Sequence, residues 1–256
     1  MRLTRRQSIV LGAAAIGSLA AGGARAQEAA MTGDGYEIEG GEVVIHPVEH
    51  ASFVMTLPGM VIYNDPVGGP EKYRGLPPPG LILVTHEHGD HFDVPTLEGI
   101  VGESTRLLTN PSVHEKLPEA LRARATAIAN GETTNANDVT IDAIPAYNTT
   151  PDRLQYHPQG RDNGYVLTIG GKRFYIAGDT EGIPEMRALE GIDVAFVPMN
   201  LPYTMSVEEA APAVAAFAPA VVYPYHYRGS DIDAFTRLLS ETGAQTRVVR
   251  GNWYAS

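Results

Sequence analysis

From Tyr36 onward apolar positions recur at every second residue, through Tyr36-Glu37-Ile38-Glu39 and, after a Gly40-Gly41 turn, through residues 42–48. That period predicts a pair of half-buried strands. Residues 50–55 and 60–63 predict a hairpin closed through Pro58-Gly59, and Asp65-Pro66 ends its second strand. Leu81-Ile82-Leu83-Val84 is instead an unbroken apolar run, the pattern of a buried strand. Further strands are expected at 107–109, 125–129, 139–144, 166–169, 174–176, 193–197 and 221–223, with an edge strand at 246–249. Helices are expected from Pro95 to Gly99, after a capping box at Ser112-Val113-His114-Glu115, from a second capping box at Ser206 and Glu209 to about Phe217, and over 231–239. This order suggests two halves, each a set of strands followed by helices, meeting near residues 160–170. Two stretches lack a regular pattern. The Pro- and Gly-rich residues 68–80 could form one wall of a pocket, and the nineteen residues 146–164 read as a functional loop.

Composition narrows the chemistry. With 256 residues and 43% hydrophobic content the chain suits one large soluble domain, expected over residues 27–256. It has no cysteine, so disulfides, thiolate ligands, iron–sulfur clusters and cysteine nucleophiles are all excluded. Residues 1–26 read as a cleaved export signal: a basic start, a short apolar stretch from Ile9, and Ala24-Arg25-Ala26 as the cleavage site. The apolar stretch is too short to span a bilayer, so no stable membrane insertion is expected after cleavage. Thr4-Arg5-Arg6-Gln7-Ser8-Ile9 resembles the twin-arginine signal, which implies export to a bacterial periplasm. Cleavage removes four arginines and no acid, taking the formal charge from −11 to −15. Such a chain, without a basic stripe, is not expected to bind nucleic acid.

The candidate chemistry lies just after the unbroken run, in Thr85-His86-Glu87-His88-Gly89-Asp90-His91-Phe92. A strand that ends here would fan three imidazoles and a carboxylate into one small volume. These are donors that Zn²⁺ and its first-row neighbours prefer. One ion cannot take all four from so short a loop. The spacing suits two adjacent ions, with His86 and His88 on one, Asp90 and His91 on the other. A second acid, Asp179 in Ala177-Gly178-Asp179-Thr180, also follows an expected strand and could bridge two cations, although Asp179 or Thr180 could equally cap a helix over 181–189. His226 follows the last core strand in Tyr225-His226-Tyr227. His114, on its expected exposed helix, reads as structural.

The H-x-H-x-D-H run resembles the signature of the metallo-β-lactamase superfamily, as do the later "Gly-Asp-Thr" segment and the histidine at 226. The resemblance implies an α/β fold of the four-layer αββα type, with Asp179 as the metal bridge and His226 as the final ligand. The family's third histidine normally follows the strand ending near Ala146, where this chain has Tyr147-Asn148. His157 is the remaining histidine nearby, and a "Tyr-Asn…His-Pro" pattern in this loop resembles one subgroup. Zinc sites supply at least three protein ligands, so His157 is expected to join His86 and His88. Asp90, His91 and His226 would then hold the second ion. His50 lies in a "His-Ala-Ser" step like that of the family's opening strands, and is expected as a buried strand histidine more than as a ligand.

By this resemblance the chain is a hydrolase with two divalent ions, zinc above all, with manganese or iron as alternatives. A metal-bound hydroxide, oriented by Asp90, would attack a small organic ester, lactone, amide or phosphodiester. Tyr147, Asn148, Asn200, Tyr203, Tyr227 and Arg228 are the expected substrate-binding residues. A mononuclear iron oxygenase and a metal-binding protein without turnover are the alternatives.

Overall fold

The computed structural model describes residues 33–254, so the expected export signal lies outside the described residues. Among the described residues the chain forms two seven-stranded sheets and six α-helices. The first sheet takes its strands in chain order: β1 (Asp34–Ile38), β2 (Gly41–Glu49), β3 (Ser52–Leu57), β4 (Met60–Asn64), β5 (Leu81–Val84), β6 (Arg106–Thr109) and β7 (Ala125–Ala127). Its first four strands are an antiparallel meander and the last four run parallel. The second sheet repeats the plan with β8 (Thr133–Ala136), β9 (Val139–Ala146), β10 (Asp162–Ile169), β11 (Lys172–Ile176), β12 (Val194–Pro198), β13 (Val221–Tyr225) and β14 (Arg247–Val248). Here β8 to β11 are antiparallel and β11 to β14 parallel.

The unbroken apolar runs are explained by burial on both faces. Leu81 and Leu83 of β5 join the core between the sheets, whereas Ile82 and Val84 join the one beneath α1 (Val94–Ile100), α2 (Pro111–Lys116) and α3 (Glu119–Arg122). In β12 Val194 and Phe196 face the other sheet, and Ala195 and Val197 face α4 (Pro184–Arg187), α5 (Val207–Phe217) and α6 (Ile232–Glu241). The result is the expected αββα sandwich, with helices 1–3 outside one sheet and helices 4–6 outside the other. Each Leu or Val buried this way contributes about 1.5–3 kcal/mol.

Four expectations shift. The halves divide between Ala127 and Thr133, not near 160–170, because residues 162–169 lie inside the second sheet and the polar strand β8 opens it. Pro111 starts α2 earlier than the expected capping box, so Asn110 is the cap and accepts from the Val113 N–H at 2.8 Å, while Ser112 bonds Glu87 instead. The helix after Asp179 begins at Pro184 with Ile183 as its N-cap, so neither Asp179 nor Thr180 caps it. Residues 68–80 pack beside α1, with Gly69 N–H donating to Thr96 at 2.7 Å and Tyr73 buried in the core under the helices. The capping box at Ser206 and Glu209 is present.

Candidate metal centre

Three parallel strands end at the site: β5 delivers His86, β11 delivers Asp179 and β13 delivers His226. The end of β5 is pinned by Asp65. Its Oδ1 accepts the Thr85 N–H at 2.7 Å, and its Oδ2 accepts the Thr85 hydroxyl at 2.7 Å. The motif then turns on itself, with the N–H groups of His91 and Phe92 both donating to the His88 carbonyl at 2.9 and 2.8 Å. Gly178 lets the chain leaving β11 lie close against β10 and Thr85. Its φ is +65°, and a Cβ there would lie 2.8 Å from the Asn163 carbonyl oxygen.

The donors gather into three groups, the first and last sharing His86, each with its donor atoms within 4.8 Å of one another: His86, His88 and His157; His50, Asp90 and His226; and His86, His91 and Asp179. Asp179 sits among them. Its Oδ2 is 3.4 Å from His157 Nε2 and 3.3 Å from His226 Nε2, and its Oδ1 is 3.4 Å from His91 Nε2. The loop therefore does bring His157 to His86 and His88. On the other side, Asp90 Oδ2 lies 3.4 Å from the Nε2 atoms of both His226 and His50. The structure thus groups Asp90 and His226 with His50, where the sequence pointed to His91.

His50 is not on a strand. It occupies the turn between β2 and β3 with φ +51°, and His226 has φ +46°. Both are left-handed positions that cost a residue with a Cβ of order 1–3 kcal/mol. Their backbones are joined, the His226 N–H donating to the His50 carbonyl at 2.9 Å, and their rings lie 3.8 Å apart.

Further groups orient the imidazoles. His91 Nδ1 faces Asp65 Oδ2 at 2.8 Å, and His157 Nδ1 faces Asp162 Oδ2 at 3.0 Å. Asp162 is itself gripped by the Arg161 guanidinium at 2.7 and 2.9 Å. Sequence reasoning missed both acids, taking Asp65 as a strand terminator and Asp162 as loop. For Asp65 the signal was an acid just past the carboxyl end of a strand, as for Asp179, whereas Asp162 opens β10 and carries no such signal.

Burial and the neighbouring imidazoles hold His86 well below the ordinary histidine range. Burial also lowers His88 and His50. For His91 burial opposes charge, but Asp179, Asp65 and Asp90 prevail and raise it to about 9. Burial likewise disfavours charge on Asp90, yet the His226 and His50 imidazoles, each 3.4 Å away, hold its carboxyl far below the carboxylate range. Asp179 is lowered too, its burial offset by His226, His91 and His157.

The residues fit a divalent cation. Among the described residues, His91 Nε2, His157 Nε2, Asp179 Oδ1 and both ring nitrogens of His226 are buried without a hydrogen-bond partner. Orphaned buried donors are costly unless something completes them, and nitrogen and carboxylate donors backed by further carboxylates are what zinc-type ions select.

The centre opens into a cavity of about 550 Å³ lined by His50, His88, Asp90, Tyr156, Asp179, Asn200, Tyr203, His226 and Arg228. A larger cavity, about 620 Å³ beside Met60, Arg106 and Asn135, has no histidine or carboxylate in its lining. Of the expected substrate residues, Asn200, Tyr203 and Arg228 line the site, and Tyr156, which sequence reasoning missed, packs edge-on against Tyr203 at 5.0 Å. Three others do not line it. Tyr147 is buried in the helix-side core and donates to Glu185 at 3.0 Å. Asn148 braces the loop through the carbonyls of Tyr203 and Arg153, at 2.7 and 3.1 Å. Tyr227 packs edge-on against Tyr254 at 4.9 Å. His114 is half-buried on α2 and joins no donor group, and residues 68–80 contribute nothing to the lining.

Comparison with known proteins bears on this arrangement. Residues 44–226 match the β-lactamase superfamily domain. The chain is 33% identical over 182 residues to a UPF0173 metal-dependent hydrolase of Pyrococcus furiosus, covering 67% of this chain and 78% of that protein. It is 40% identical to a protein of Parabacteroides distasonis, solved by crystallography and described as a candidate metal-dependent hydrolase; the match spans 85% of this chain and 98% of that one with a TM-score of 0.78. The metallo-β-lactamase fold protein YhfI of Bacillus subtilis shares the fold at 14% identity, with a TM-score of 0.64 over 80% of this chain and 91% of that one.

Proposed function

The chain belongs to the metallo-β-lactamase superfamily, among its metal-dependent hydrolases, and on that premise we propose that it cleaves a small organic ester, lactone, amide or phosphodiester with the help of two divalent ions. The observation that carries this reading is the pair of donor groups on either side of Asp179, His86, His88 and His157 on one and Asp90 with His226 on the other, lining or underlying a single cavity. His86, His88 and His157 would hold one ion, and Asp90, His91 and His226 the other, with Asp179 between them. Zinc is the metal this donor set suits best. Ions bound there would polarise the scissile group and bring the pKa of a water molecule to about 7.

The chain's own residues do the rest. The depressed carboxyl of Asp90 stays ionised at neutral pH, so it can accept a hydrogen bond from the attacking water and orient it. Arg228 is the one cation in the lining, suited to a negative or strongly polar group on the substrate, and the tyrosines at 156 and 203 offer an apolar wall with polar tips. The mature charge of −15 and the lack of a basic stripe disfavour nucleic acid. Export to a periplasm through the twin-arginine route completes the proposal.

Elemental analysis of the purified protein, with a panel of esters, lactones, amides and phosphodiesters, tests it. Two equivalents of zinc or manganese and turnover that a chelator abolishes are expected. Full activity after metal removal, metal without turnover, or one iron with oxygen consumption would each overturn it.

A further inference from the structure

His50 stands within reach of both Asp90 and His226, so its position alone would make it a metal ligand. Its hydrogen-bond partner decides otherwise. His50 Nδ1 lies 2.7 Å from the Tyr254 hydroxyl. That same hydroxyl receives the backbone N–H groups of Tyr227 and Arg228 at 3.0 and 2.9 Å. A backbone N–H can only donate, so both lone pairs of the phenol oxygen are engaged. Its own proton must point at the remaining neighbour, which is His50 Nδ1. An imidazole that accepts at Nδ1 carries its proton on Nε2. The ring then presents an N–H, not a lone pair, to the cavity.

Two of the proposed ligand histidines have the opposite arrangement. Asp65 faces His91 Nδ1 and Asp162 faces His157 Nδ1, and carboxylates can only accept. Their Nδ1 atoms therefore keep a proton, and Nε2 is the atom a metal would take, displacing any second proton there. Burial raises the Tyr254 phenol above its ordinary range, so it keeps its proton at neutral pH.

We infer that His50 is not a metal ligand but a neutral hydrogen-bond donor built into the pocket, its Nε2–H directed at Asp90 Oδ2, 3.4 Å away, and at a substrate oxygen beside it, with Tyr254 fixing the tautomer. The donation to substrate rests on the hydrolase reading above; the tautomer and the exclusion from the ligand set do not.

Nitrogen NMR of ¹⁵N-histidine-labelled full-length protein, before and after zinc is added, reads the tautomer directly. His50 should show an unprotonated Nδ1 and a protonated Nε2 in both states, its signals assigned by their loss in His50→Asn, a residue that tolerates the left-handed backbone. Tyr254→Phe should move the pair toward the Nδ1–H form. His50→Asn should bind as much zinc as the wild type, whereas His226→Ala should lose an equivalent. On a substrate found by the panel, His50→Asn should lower kcat about 10²-fold. Loss of the Nε2 proton on zinc addition, or loss of a zinc equivalent in His50→Asn, would overturn the inference. Failure to find a substrate would count against the hydrolase reading alone, because the spectra and the stoichiometry do not depend on turnover.

Discussion

Asp162 shows how much of the site depends on residues that never touch the reaction. Its carboxylate accepts from His157 Nδ1 at 3.0 Å while Arg161 holds it from behind. Asp162→Asn would keep the shape but present an amide that can donate. The His157 proton could then move to Nε2, the atom proposed to bind metal. Zinc affinity, measured by competition with a chelator, should fall about 10–100-fold with the fold retained, and His157→Ala should fall at least as far. His114→Ala, at a residue that belongs to no donor group, should leave affinity unchanged. The same contrast explains what was legible at this scale. His86, His88, Asp90 and His91 stand within one turn, so spacing alone pointed to a metal. Asp65, Asp162 and Tyr254 reach their histidines only through the fold, across 26, 5 and 204 residues of chain, and no local period marks them. Tyr147 and Asn148 misled for the converse reason: they are polar residues in the right loop, but their side chains are spent on Glu185 and on backbone carbonyls.

Among the elements, the loop bearing His157 is held in place by a second helix layer. Arg153 donates to both oxygens of Glu209, on the first turn of α5, at 2.7 and 2.9 Å, and lies 3.0 Å from Glu181. Glu181 in turn accepts the N–H groups of Thr149 and Thr150 at 2.7 and 2.9 Å. The Arg153 guanidinium holds the Glu209 carboxyl below its ordinary range. A depressed carboxyl contributes stability that is present above its unfolded value, about 4.3, and is lost as pH falls through the lower folded value. Glu209→Gln removes the charge but keeps a competent residue for the Ser206 capping box. The variant should be less stable than the wild type by roughly 1 kcal/mol at pH 7, a half-exposed pair being worth no more. The gap should narrow toward zero below pH 4, as chemical denaturation at the two pH values would show. A gap that stays constant with pH would mean that the cap, not the ion pair, was disturbed. Elements themselves were the most legible level. Unbroken runs such as Leu81 to Val84 and the Ser206 cap declared themselves through burial and turn chemistry, whereas β8, Thr133–Ala136, is polar and short and carries its identity only in its pairing with β9.

At the scale of the whole molecule, the two sheets repeat one plan, a meander followed by parallel strands, and the parallel strands of both send their carboxyl ends to the same site. Donors at His86, Asp179 and His226 converge only once both sheets have packed, since no single strand set holds a complete group. Metal loading is therefore coupled to folding of the entire sandwich. That coupling gives a physical reason for the proposed export route, because the twin-arginine signal that Thr4-Arg5-Arg6-Gln7-Ser8-Ile9 resembles implies transport of chains already folded and loaded. Replacing Arg5 and Arg6 together with lysine keeps the charge of the basic region but removes the pair. The precursor should then accumulate in the cytoplasm at its full length, and the shorter form cleaved after Ala26 should vanish from the periplasm, as fractionation and mass measurement would show. A general secretory route depends on positive charge and the apolar stretch, both of which this double variant preserves. Undiminished periplasmic product would therefore reject the twin-arginine route and require the sandwich to fold and acquire its metal after crossing the membrane.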